Sequence, residues 1–124
     1  MRVFAFALAL AVLTGCSAAS NTTAPITAEA LVGTTWAENC PDSNPERSYI
    51  RLDADGTFAW DYDSPSSVNP DSGEAWRVEG TTLVISWNDD FAVTRYDLTK
   101  YGTGALPGTS TKSCGDRAVL ERVQ

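Results

Sequence analysis

The 124-residue chain predicts an all-β fold, a small antiparallel up-and-down β-barrel of about eight strands with one short helical turn near its N-terminus. The first observation behind this is a series of short runs rich in β-branched and aromatic residues from Thr34 onward, each bounded by Gly, Pro, Asn or Asp. The second is that these runs follow one another through hairpin-length connections, so consecutive strands pair antiparallel. Such a meander leaves two unpaired edges, and closing it into a barrel removes both.

In chain order, Thr27 can cap a single turn through Ala28, Glu29, Ala30 and Leu31, which Gly33 ends; nothing else has helical periodicity. Thr34 to Ala37 is the first strand, followed by a loop from Glu38 to Glu46 that carries Cys40, Pro41 and Pro45. Arg47 to Leu52 and Thr57 to Tyr62 flank Asp53-Ala54-Asp55-Gly56, the clearest hairpin, in which Asp-Gly supplies the positive φ of the turn. In its second arm Phe58, Trp60 and Tyr62 share one face. Ser64 to Ser72, with two prolines, reads as a long polar connection. Strands resume over Glu74 to Glu79 and Thr82 to Trp87, with Trp76 and Val78 on one face and Leu83, Ile85 and Trp87 opposite them. Phe91 to Leu98 follows the turn Asn88-Asp89-Asp90, and Thr99 to Gly104 reads as loop. Leu106 to Ser113 is a weak strand interrupted by Pro107-Gly108, and Ala118 to Val123 closes the chain.

Ahead of the barrel, Arg2 is the only charge before an unbroken apolar run from Val3 to Leu13. A basic start, an apolar stretch of that length and small residues after it make a secretory signal over residues 1–15. A transmembrane anchor needs about 20 apolar residues, more than this run supplies. The junction Leu13-Thr14-Gly15-Cys16 resembles the lipobox of bacterial lipoproteins. That resemblance implies cleavage before Cys16 and thioether lipidation of its sulfur, with palmitate-type acyl chains carried by the modified residue; the alternative is an ordinary signal with a chance cysteine. Ser17 to Ile26 is small and polar, so residues 16–26 read as the lipidated cysteine and a tether, and residues 27–124 as the barrel domain. The implied location is the cell envelope, lipid-anchored to a membrane, the outer one if the host is Gram-negative. The Asn21-Thr22-Thr23 sequon is silent in such a host.

With Cys16 lipidated, Cys40 and Cys114 are left as the internal pair of an exported chain. Their separation of 74 residues gives a chain-entropy stabilisation of up to about 4.5 kcal/mol. Cys40 follows the first strand and Cys114 precedes the last, so a closed seam brings them together whereas an open sheet holds them apart. Seam pairing judged from the cysteines sets Trp36 near Ala118 to Leu120.

Leu31-Val32-Gly33-Thr34-Thr35-Trp36 resembles the L-x-G-T-x-W opening of small lipocalin-like and META-type envelope barrels. Asp55-Gly56-Thr57-Phe58 and the run Trp76 to Leu83 are also common in such domains. One extra residue separates Gly33 from Trp36 relative to the lipocalin G-x-W, and the META Gly-Cys-Asn segment is absent. The resemblance implies the barrel and the envelope setting but no ligand. In lipocalins a late arginine stacks on the first-strand tryptophan, and Arg122 is the counterpart.

The chain has no histidine, which excludes Ser-His-Asp and Cys-His catalysis and histidine-metal sites. Asp89-Asp90, and Asp61 with Asp63, are the carboxylate pairs available for glycoside chemistry, but they sit where solvated turn acids sit. Asp53, Asp55 and Gly56 lack the remaining ligands of a calcium loop. Asp61, Asp63, Asp71 and Glu74 bracket one connection and are the only candidates to converge on a cation. The expectation is no enzyme, no metal and no cofactor. Net charge is −7, becoming −8 after removal of residues 1–15, which argues against nucleic acid and against electrostatic attachment to anionic lipid. Phe58, Trp60, Tyr62, Trp76, Leu83, Ile85 and Trp87 either fill the barrel or line a cup for a small apolar ligand. The function expected is a non-catalytic binding module for a protein or an apolar ligand; an acidic inhibitor of an envelope-attacking hydrolase such as lysozyme, or an envelope assembly factor, are the alternatives.

Overall fold

A computed structural model describes residues 15, 24–41, 43, 47–112 and 114–123. The secretory signal, lipidation of Cys16 and the sequon all fall outside the described residues, apart from Gly15. The domain is a closed barrel of eight antiparallel strands in sequential order: β1 (Thr35–Asn39), β2 (Arg47–Leu52), β3 (Thr57–Asp61), β4 (Asn69–Glu79), β5 (Thr82–Trp87), β6 (Ala92–Asp97), β7 (Ala105–Ser110) and β8 (Ala118–Arg122). The helical turn α1 (Ala28–Leu31) precedes β1, and Leu98–Thr103 is a 3-10 helix between β6 and β7. The expected barrel is therefore present, and β1 pairs with β8 to seal it.

The meander sends alternate connections to opposite ends. One end carries α1, the Asp53–Gly56 turn, the Gly80-Thr81 turn and the 3-10 helix. It is packed shut: Leu31 and Leu52 are fully buried and Leu98 nearly so. Thr34 ties this end together, its hydroxyl donating to the Leu31 carbonyl at 2.6 Å and accepting from the Trp36 indole at 2.7 Å. The other end holds residues 40, 41, 43, 62–68, 88–91, 111, 112 and 114–117. Here Cys40 and Cys114 form the expected disulfide, with Cα atoms 4.9 Å apart.

Between the ends, Trp36, Ile50, Phe58, Leu83, Ile85, Tyr96, Leu106 and Leu120 are fully buried and occupy the interior as one cluster. Tyr96 lies over Gly108, its register partner, so closely that a Cβ there would clash with the ring. The glycine that weakens the strand signal in β7 is thus what admits a core tyrosine. Pro107 lies just beyond the Gly108–Ser110 ladder with β6, so its missing N–H costs no bond there.

Four expectations are corrected. The segment 98–103, expected as loop, is a 3-10 helix capped by Asp97, whose side chain accepts from the Thr99 N–H. β1 runs two residues beyond Ala37, to Asn39. The connection expected over Ser64 to Ser72 ends early, because Asn69 and Pro70 already pair with Trp60 and Ala59. The register then slips across residues 71–74, a bulge with Gly73 at φ +87°. Finally, the seam sets Trp36 opposite Arg122, not near Ala118 to Leu120. The cysteines lie beyond the strands, and the turn after Cys114 absorbs the offset. Arg122 does not stack on Trp36: its guanidinium lies 5.5 Å over the Tyr101 ring and donates to the Tyr101 hydroxyl, while Trp36 meets the same ring at 6.1 Å.

Candidate functional site

The open end is built from the last residues of β3, the start of β4 and the β5–β6 turn. Because Phe58, Trp60 and Tyr62 alternate along one face, burial falls steadily toward the rim: Phe58 is fully buried, Trp60 is partly covered and Tyr62 is 50% exposed. Their rings continue a ladder of edge-to-face contacts, Phe58 with Trp87 at 4.8 Å, Trp87 with Trp60 at 5.6 Å and Trp60 with Tyr62 at 4.9 Å. Trp76, Leu83 and Ile85 are buried below them and Trp87 is partly buried. The seven aromatic and aliphatic candidates thus split, with the deeper ones in the core and Trp60 and Tyr62 at the rim.

A pocket of about 250 Å³ opens there, lined by Trp60, Asp61, Tyr62, Asp63, Asn69 and Pro70. Asp61 is held in place by its own loop, one carboxylate oxygen accepting from the backbone N–H groups of Asp63 at 2.6 Å and Ser64 at 3.1 Å. Those backbone donors, Asp63 first, hold its pKa below the usual value. The four tryptophans differ at their N–H groups. Trp36 donates to Thr34, Trp76 to the Asp53 carbonyl at 2.9 Å and Trp87 to Glu38 at 3.2 Å, whereas the buried Trp60 N–H has no acceptor among the described residues.

Beneath Trp87 lies Glu38, a buried carboxylate that sequence reasoning missed. One oxygen accepts from the Trp87 indole and the other from the Thr94 hydroxyl at 3.5 Å. Burial pushes its pKa up, and hydrogen bonding only partly offsets this. The Tyr96 hydroxyl shares the cluster; burial first and the Glu38 charge second push its pKa well above the usual phenol value. Its approach to the carboxylate falls short of hydrogen-bonding geometry. Extending the first strand beyond Ala37 would have revealed Glu38, since the alternation that turns Trp36 inward also turns residue 38 inward.

Other acids serve the fold. Asp55 accepts from the backbone N–H and hydroxyl of Thr57, and Asp53 pairs with Arg51 at 2.8 Å. Asn88, Asp89 and Asp90 all have positive φ, and the turn they form is clasped by the bulge: the Asp89 N–H donates to the Gly73 carbonyl and the Asn88 N–H to the buried Glu74. Asp90 accepts from the Ser86 hydroxyl at 2.6 Å. Glu74 therefore faces the turn and not Asp61 and Asp63, and the side chain of Asp71 lies outside the described part. Among the described residues no group of three or more acids or cysteines is placed to hold a metal ion. Phe91, 65% exposed, completes the rim with Lys112 4.5 Å above its ring.

The chain matches no family model, no curated protein and no solved structure.

Proposed function

We propose that this chain is a lipid-anchored, non-catalytic binding module of the cell envelope that engages a protein through the open end of its barrel. The observation that carries the reading is the asymmetry of the two ends. The interior is occupied by side chains from Trp36 to Tyr96, which speaks for recognition at the rim over a deep apolar cup. The rim exposes Phe91 and also Tyr62, which lines a pocket there. The described chain comes in through Ala24 to Ile26 at the sealed end, where Ile26 packs on the core. A lipid on Cys16, ten residues earlier, is within about 35 Å of that end when the linker is extended. An anchor at that end leaves the rim free to face away from the bilayer.

The net charge of −8 expected for the processed chain steers it toward basic partners. A narrower reading, inhibition of a basic envelope-attacking hydrolase, is favoured by the acid-flanked 61–68 loop with exposed Tyr62. Photo-cross-linking in the native envelope tests the proposal. A benzophenone residue at position 62 or 91 captures a defined protein partner, and the same residue at Val32, exposed at the sealed end, does not. Equal capture from both ends refutes rim recognition. Fatty-acid labelling that persists in Cys16→Ser refutes the anchor.

A further inference from the structure

We propose that the rim pocket between β3 and β4 receives one cationic side chain, Lys or Arg, of the protein partner, an inference that rests on the rim-docking reading above. The pocket combines two features that suit a cation and little else. Trp60 and Tyr62 meet edge to face at 4.9 Å and both line the cavity, so a guest there lies against aromatic surface. Ring faces carry negative charge density that attracts a cation within about 6 Å. Asp61 and Asp63 line the same walls, with Asp61 fixed by two backbone donors.

Among the described residues neither carboxylate is paired with a cation. The ion pairs Arg47–Glu121, Arg51–Asp53 and Arg77–Glu79 of the described residues involve other acids, and Lys112 sits over Phe91. Size narrows the guest further. At about 250 Å³ the pocket is below the usual range of about 300–1,000 Å³ for small-molecule sites, yet it suffices for one long side chain. An apolar guest would strip water from two carboxylates and give nothing back, and an anion would be repelled. A guanidinium or ammonium on an apolar stem satisfies both kinds of wall, its stem against the rings and its head toward the acids.

The test uses the full chain in detergent micelles and two probes that differ only in charge, Nα-acetyl-lysine methylamide and its Nε-acetylated neutral analogue. The indole N–H resonance of Trp60, assigned through Trp60→Phe, is the readout. The cationic probe is expected to shift it saturably, and the neutral one to bind at least about tenfold more weakly. Asp63→Asn is expected to weaken the cationic probe about fivefold, whereas Asp55→Asn at the opposite end leaves it unchanged. Raising the salt from 50 to 500 mM weakens it as well. No saturable shift, an equal shift with the neutral probe, or a shift with N-acetylglucosamine in place of the cation overturns the proposal. Failure of the pocket and failure of rim docking are separable. Cation binding without a protein cross-link from position 62 sinks docking, and a cross-link without a cation response sinks the pocket.

Discussion

At the end where the chain comes in, Leu31, Leu52, Leu98 and Trp36 are buried against one another, and a short helix and a 3-10 helix cover them. At the far end the last ring of the aromatic ladder stands half in water, a disulfide joins the loops, and a carboxylate lies buried just beneath. The first end is closed by transfer of apolar surface, about 1.5–3 kcal/mol for each large side chain. The second is held by a covalent link and by polar contacts, which leave its outermost rings uncovered. A barrel this small has little core to spare. Closing one end with apolar side chains leaves the other to present aromatic and acidic groups.

The largest effect should come from cutting into the sealed end. Trp36→Ala should cost about 3–5 kcal/mol, read as a lower urea midpoint, while Phe91→Ala at the rim should change stability by less than about 0.5 kcal/mol. Equal costs would erase the contrast between the ends. Reducing Cys40–Cys114 should cost about 2–4.5 kcal/mol, and amide exchange should accelerate first in the residues flanking the two cysteines. Faster exchange at α1 first would mean that the bridge supports the whole barrel evenly.

Gly108→Ala should cost about 1–3 kcal/mol, because the new methyl group meets the Tyr96 ring. Pairing it with Tyr96→Leu should recover part of that loss. The smallest effect concerns Glu38. Its folded-state pKa is raised by burial, so its contribution to stability is fully present below the unfolded value of 4.5 and is lost as pH rises through the folded value. Glu38→Gln keeps an acceptor for the Trp87 indole and removes the buried charge. The variant should therefore unfold at a higher urea concentration than the parent at pH 7, with the gap closing toward pH 4. A parent whose stability rises over that window would show Glu38 to be stabilised as the anion.

Much of the barrel was legible because turn chemistry brackets its strands. β2 runs from Arg47 to Leu52 and β5 from Thr82 to Trp87 as the sequence predicts, since Asp55-Gly56 and Gly80 mark the hairpins beside them. The early start of β4 was hidden, because Asn69, Pro70 and the bulge at Gly73 carry loop residues into a ladder. The seam register was misjudged for a different reason. A disulfide between residues outside the strands constrains distance but not pairing, so Cys114 reaches Cys40 from four positions before Ala118. The rim aromatics were legible as a stripe by alternation alone. Their division into core and rim was not, since that depends on how far each strand runs into the barrel. The pocket needed Asn69 and Pro70 opposite Trp60, a pairing that no local pattern announces.

The β1–β8 seam has a topological consequence. The Val123 N–H donates to the Thr35 carbonyl at 2.9 Å, so the first and last strands finish side by side at the sealed end. Eight strands in sequential order around a closed cylinder have no inherent beginning, and the break in the polypeptide can move around the circle. A circular permutant opened between Gly80 and Thr81 keeps every strand pairing and puts its new terminus at the same end as the old one. A permutant opened within residues 62–68 keeps the pairings too but starts at the opposite end. Anything attached to that new terminus would hold the barrel by its opposite end.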